Sequence, residues 1–261
     1  MEARALRVAG APDRERIREL YRQLRAAYGP QGWWPLARRA GRPGFDLRGY
    51  HVGNRDHALT PADRFEICTG AVLTQNTAWT NVETALERLR GAGVRLPRDM
   101  LAIGRRRLAG LIRSSGYFNQ KARKLELLAS FFRGPRALSG SSVPGRAGLL
   151  ALWGVGPETA DSILLYAFGE TVFVVDAYTR RLLGRLGIIS GRERYEHVQD
   201  IFHRSLRRSA PLYGDYHALV VAHAKRHCRT RPICDGCPVR PCAWRDRGPH
   251  PSAGGAGSRD G

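Results

Sequence analysis

Apolar residues in this chain recur every three or four positions along most of its length, and no long stretch alternates apolar with polar residues at period two. That spacing confines the fold to packed helices, and the reading is all-α. Helices are expected at Asp13 to Tyr28, Pro61 to Leu73, Thr77 to Arg90, Pro97 to Ile103, Arg105 to Ile112, Asn119 to Phe132, Ala147 to Leu152, Glu158 to Phe168, Ala177 to Leu186, Arg192 to Leu206 and Leu212 to His227. Between Gly29 and Leu59 the sequence is rich in glycine, proline and aromatic residues, which marks an insertion or a functional segment. After Trp244 apolar residues all but vanish, so the tail is expected to be disordered.

With 43% hydrophobic residues among 261, the chain has enough apolar material for a core. Lys and Arg number 43 against 23 Asp and Glu, a net charge of +20 that favours a polyanionic partner, nucleic acid first. Only Lys121, Lys124 and Lys225 are lysines. Coding bias can exchange Lys for Arg, but it does not by itself leave acids so outnumbered. No run of about eighteen apolar residues is present, and the start carries no apolar signal region. The expectation is therefore no membrane contact, a cytoplasmic, nucleoid-associated location and a monomer.

Cys228, Cys234, Cys237 and Cys242 fall within fifteen residues as Cys-x5-Cys-x2-Cys-x4-Cys. Links that short can bring four thiolates round one metal centre, whereas a cytosolic chain has little use for disulfides. An iron–sulfur cluster and a four-thiolate zinc site both satisfy the spacing. Cys68 lies on an apolar helix face and reads as a core thiol.

Leu152 to Pro157 places Gly154, Val155 and Gly156 between two helical patterns. Glycine lets a backbone approach a partner closely, and amides at the start of the following helix can bind phosphate; an ordinary helix-to-helix turn would use the same residues. Eighteen residues past Glu158, the apolar run ending at Val175 delivers Asp176 to the start of a helix. Asp there is a natural N-cap. A carboxylate so held is also fixed in direction and kept ionised by the helix dipole, which suits it to stabilise positive charge on a sugar.

Together, Gly70 to Thr77, Ser115 to Lys121, the hairpin from Leu152 to Thr159, Val175-Asp176 and His223 to Cys228 resemble the endonuclease III superfamily of DNA glycosylases. The likeness runs from about Pro61 to Cys242. It implies two helical lobes with a DNA-binding cleft between them. A six-helix barrel with a helix-hairpin-helix would span 61–173, and a cluster lobe would combine residues 1–60, carrying an aromatic pocket insertion, with 174–242. Residues 243–261 would be a disordered tail. The resemblance favours a [4Fe-4S] cluster on the four cysteines, with zinc as the alternative, though two cysteine gaps are each one residue shorter than in endonuclease III. Bifunctional members carry a lysine nucleophile where this chain has Glu158, and a carboxylate cannot form the imine. Base excision without strand cleavage follows.

Trp33-Trp-Pro35, an aromatic residue two positions after the Thr-Gln-Asn-Thr motif, and the acid at the lysine position resemble the endonuclease III-like 3-methyladenine DNA glycosylases. In that branch a flipped base is sandwiched by aromatic side chains. Here Trp33, Trp34 and Trp79 are the stacking candidates. Gln75 or Asn76 would fill the gap left in the duplex, and Asp176 would be the catalytic anion. The expected function is excision of a damaged base, an alkylated purine, from double-stranded DNA. An oxidised, deaminated or mismatched base is the alternative substrate, and a non-catalytic binder of damaged DNA is the alternative class.

Overall fold

A computed structural model describes residues 11–51, 58–134 and 136–246. The helices are α1 Ala11–Tyr28, α2 Pro61–Leu73, α3 Trp79–Gly91, α4 Pro97–Ala102, α5 Arg105–Leu111, α6 Phe118–Phe131, α7 Arg146–Leu150, α8 Pro157–Phe168, α9 Ala177–Arg185, α10 Tyr195–Ser205, α11 Ala210–Arg226 and α12 Ala243–Asp246. Short 3-10 turns cover Ala37–Arg39 and Arg113–Ser115. Among the described residues no strand forms beyond an isolated Phe45–His51 bridge, and no helix is long and apolar enough to cross a membrane.

Local chemistry explains most boundaries. Thr60 and Asp63 form a reciprocal capping box at the start of α2, followed by Pro61 at the first helical position. Helix α3 begins at Trp79 instead of Thr77 because Asn76 is left-handed (φ 52°) and Ala78 is extended. Helix α10 starts three residues later than the expected Arg192, because the Glu193 carboxylate turns back to accept the Ser190 and Gly191 amides. At the other end, α12 lies inside the stretch expected to be disordered. Its Asp246 accepts the Cys242 amide and the Arg185 guanidinium lies over the Trp244 ring at 5.1 Å, contacts that the low local hydropathy does not reveal. The remainder of that tail lies outside the described residues.

One lobe runs from α2 to α8, with α2 packed on α8, α6 and α3. The other joins the two ends of the chain: α1 packs on α10 and α11, and α11 on α9. A parallel stack of Phe173 and Phe202, with centroids 3.7 Å apart, sits beside buried Tyr213 and Tyr216 in its core. Helix α11 also touches α8, so the cleft walls are braced at their base.

Asp161 adds a polar brace from α8 to α7 and α10. It is fully buried on α8 and takes Arg146 Nε at 2.6 Å, Arg146 Nη2 at 3.1 Å and Gln199 Nε2 at 2.8 Å. Gln199 of α10 also donates to the Phe173 carbonyl at 2.7 Å. Removing the acid strands Arg146, although partial solvent exposure lets that guanidinium rehydrate. Asp161→Ala is expected to lower unfolding free energy by about 2–3 kcal/mol, below the range for breaking a fully buried pair. Urea titration of the two proteins checks this, and a loss under about 1 kcal/mol would show that the brace carries little.

Candidate functional site

A cleft of about 850 Å³ opens between the lobes. Its walls are the loop from Thr74 to Thr80, the first turn of α8, the first turn of α9 and one face of α11, with Trp33, Trp34, Arg48 and Tyr50 closing one side. Buried Phe173, Val174 and Val175 anchor the run leading to Asp176, which caps α9 in an extended conformation. Its Oδ1 accepts the Thr179 amide at 2.7 Å and the Thr179 hydroxyl at 2.8 Å. Oδ2 lies 3.5 Å from His217 Nε2, longer than an ordinary hydrogen bond. Burial alone would raise the Asp176 carboxyl. His217 and the Thr179 bonds outweigh it and hold the group below the ordinary aspartate value.

Glu158, in the first turn of α8, lines the same cleft. Burial among the walls, followed by the neighbouring Asp176 charge, raises its carboxyl. Lys225 lines the cleft from α11 but forms no ion pair with Asp176 among the described residues.

Trp33, Trp34 and Trp79 do meet, as a corner and not as parallel plates. The Trp34 ring stands at 72° to Trp33 and 84° to Trp79, with centroids 6.1 and 5.5 Å away. Trp34 is buried against Gly70, where a Cβ would come within 3.2 Å of the indole. Gln75 is occupied at both ends of its amide: Oε1 accepts Lys124 Nζ at 2.6 Å, and Nε2 donates to the Gly154 carbonyl and Thr159 Oγ1, each at 3.0 Å. The side chain thus braces the hairpin, while the neighbouring Asn76 is exposed at the loop tip.

In the hairpin, the Val155 amide closes a turn onto the Leu152 carbonyl and its side chain is buried. The amides of Gly154 and Gly156 make no hydrogen bond within the described residues. All four loop cysteines are unbridged, with Cys228 buried and the other three half-buried. Arg185 donates to Cys228 Sγ at 3.2 Å, and Cys237 Sγ lies 3.9 Å from His223 Nε2. Among the described residues no three His, Cys, Asp or Glu side chains converge tightly enough to hold a single metal ion. Cys68 is fully buried, and burial pushes its thiol up.

A sequence signature described as HhH-GPD superfamily base excision DNA repair protein matches residues 69–208. The chain belongs to the HhH-GPD superfamily of base excision DNA repair proteins. A candidate DNA repair glycosylase of Methanocaldococcus jannaschii is 36% identical over 233 residues, covering 87% of this chain and 94% of that protein. Endonuclease III of Thermotoga maritima is 28% identical over 186 residues, covering 70% and 83%. Among solved structures, H. pylori 3-methyladenine DNA glycosylase bound to 1,N6-ethenoadenine superposes with a TM-score of 0.62 at 27% identity, over 82% of this chain and 97% of that one. A trapped endonuclease III–DNA covalent intermediate gives 0.66 at 22% identity over 90% and 98%, a likeness of fold.

Sequence reasoning did not single out several cleft residues of this HhH-GPD glycosylase. Tyr50 sits in the irregular segment, where no periodicity points at it, and His217 and Lys225 lie on a helix that otherwise reads as core. Tyr117 is 67% exposed in a left-handed conformation (φ 45°), on a loop tied to that of Asn76 by buried Lys121, which donates to the Leu73 and Ser115 carbonyls. That tie joins two otherwise separate loops.

Gly154 has φ 81°, and a Cβ there would strike the Lys124 side chain that holds Gln75. Gly154→Ala is expected to keep the fold but weaken duplex DNA binding about tenfold, the equivalent of roughly 1–2 kcal/mol of backbone strain. Fluorescence anisotropy at fixed salt measures it, and unchanged affinity would remove the hairpin from the DNA contact.

Proposed function

We propose that this glycosylase excises an alkylated purine, 3-methyladenine or 7-methylguanine, from double-stranded DNA by hydrolysis, without cutting the strand. The observation that carries the reading is a clamped carboxylate, Asp176, on the cleft wall, with an acid instead of an amine at Glu158. The 27% identity to an enzyme described as a 3-methyladenine DNA glycosylase, over nearly all of that chain, supports the substrate class.

The target base cannot be reached inside the duplex and must be rotated out. Gly154 and Gly156 offer free amides for the phosphates of the distorted strand, while Asn76 enters the space the base vacates and Tyr117 lies against the neighbouring step. In the corner of Trp33, Trp34 and Trp79, with Tyr50 on the rim, stacking contributes about 1–3 kcal/mol, and a cationic alkylpurine gains further from the electron-rich ring faces. Such a base leaves with its electron pair and becomes neutral, needing little acid assistance. The sugar then carries the positive charge. Asp176 Oδ2, free of the Thr179 clamp, faces that charge and orients the attacking water.

The cysteine loop is read as the seat of a [4Fe-4S] cluster on Cys228, Cys234, Cys237 and Cys242. The Arg185 bond to Cys228 Sγ places a positive charge beside the loop, which suits an anionic cluster on the four thiolates. When bound, it supplies a staple tying the loop to α9 and α11.

Assays of free-base release should show 3-methyladenine or 7-methylguanine leaving alkylated duplex, with Asp176→Asn abolishing release while retaining DNA binding. Release of only oxidised or deaminated bases would overturn the substrate class, and full activity in Asp176→Asn would overturn the mechanism. Because the Asp176 carboxyl is held below 3.8, it stays ionised as pH falls and is lost only on crossing that lowered value. Excision should therefore show no carboxylate limb down to about pH 5. Borohydride should trap no covalent DNA adduct; a trapped adduct that disappears in Lys225→Ala would identify Lys225 as a nucleophile. Purified protein should contain about four iron and four sulfide per chain. One zinc without iron would replace the cluster reading.

A further inference from the structure

His217 has no part in the chemistry above, yet it is buried in the cleft wall, 5% exposed, directly beside Asp176. Its Nε2 has no hydrogen-bond partner and faces Asp176 Oδ2 at 3.5 Å. On the other side of the ring, Nδ1 lies 2.7 Å from the Tyr166 hydroxyl, which is itself 3.2 Å from the Gly214 carbonyl. The Trp33 ring stands at 82° to the imidazole, 5.6 Å away, and shields it from the open cleft.

These contacts select the tautomer. Burial pushes the Tyr166 phenol well above 10, so its oxygen always carries a proton. In the neutral imidazole, Tyr166 donates to Nδ1, which leaves the ring proton on Nε2 and aimed at Asp176. In the imidazolium, Nδ1–H donates to the phenol oxygen and Tyr166 turns its own proton to Gly214. Both arrangements are fully hydrogen-bonded at Nδ1, and both present an N–H to Oδ2. The remaining tautomer keeps the bond between Nδ1 and the phenol but would set the bare Nε2 lone pair against a carboxylate.

We propose that His217, oriented by Tyr166, is a positioning residue for Asp176. Its Nε2–H holds Oδ2 on the side opposite the Thr179 clamp on Oδ1, so that the carboxylate plane is set from both ends and faces the sugar. At 3.5 Å the second contact is long, and closing it by a few tenths of an ångström gives the buried N–H, which has no other partner among the described residues, an acceptor. Glu158 and Tyr166 from α8 and Lys225 from α11 are further titratable groups that interact with the Asp176 charge. Of the three, none lies within ion-pair distance of Oδ2 among the described residues.

The inference rests on Asp176 being the anion of the reaction, and the test separates the two. Single-turnover release of 7-methylguanine, DNA affinity and thermal melting are compared for Asp176→Asn, His217→Leu, His217→Gln and Tyr166→Phe, and the Asp176 carboxyl carbon is titrated by NMR. His217→Leu should slow excision roughly 10- to 100-fold with DNA affinity within about twofold. It should also move the Asp176 titration upward. His217→Gln, whose amide can still donate to Oδ2, should recover most of the rate, and Tyr166→Phe should lose a smaller part of it. If His217→Leu does not fold, the glutamine and phenylalanine variants carry the comparison. An inactive Asp176→Asn beside a His217→Leu of wild-type rate and unmoved titration overturns the positioning role alone. A fully active Asp176→Asn overturns the Asp176 mechanism beneath it, while the titration still reports whether His217 acts on the carboxylate.

Discussion

The two bonds from Thr179 to Asp176 Oδ1 do a structural and a chemical job with the same atoms. They satisfy an amide and a hydroxyl in the first turn of α9, which a helix start requires, and they commit one carboxylate oxygen so that the other is left for the cleft. Burial behind Val174 and Val175 would by itself favour the neutral acid. The cap and the nearby imidazole reverse that preference, and a buried anion results. The imidazole contributes more to that reversal than the cap does.

That anion is useful only if the walls around it hold their spacing. Asp161 joins α7, α8 and α10 through Arg146 and Gln199, and α11 lies against both α8 and α9. Gln75 extends the same logic to the DNA-facing side, because its amide bridges the loop after α2 to the hairpin before α8 and is pinned by Lys124. Polar side chains carrying several hydrogen bonds each thus help set the positions of loops and helices alongside apolar packing. The exposed residues left over, Asn76 and Tyr117, sit on loops that cannot drift apart because Lys121 grips both.

Helix positions from α1 to α11 were legible to within two or three residues. Periodicity placed α2, α8, α9 and α11 to within two residues at either end, since amphipathic spacing and caps are local properties. Where boundaries moved, as at Trp79 and Tyr195, a left-handed residue or a side chain folding back on its own turn was responsible. The order of the motifs from Gly70 to Cys228 was equally visible and agrees with membership of the HhH-GPD superfamily. Orientation was not legible: nothing in Trp33-Trp34 says that the rings meet Trp79 at a corner, or that Gln75 is already engaged.

By itself, then, the sequence determined an all-helical chain with an excess of positive charge, a glycine hairpin followed by Glu158, four clustered thiols, and an aspartate at a helix start. Each is a matter of neighbours along the chain. The tertiary structure alone decided that His217 and Tyr166 lie behind that aspartate, that Lys225 shares its cleft, and that Tyr50 joins the tryptophans. Those pairings bring together residues far apart in sequence, through α11 packing on α8 of the first lobe, and no local spacing encodes which side chains meet when two packed helices settle into register.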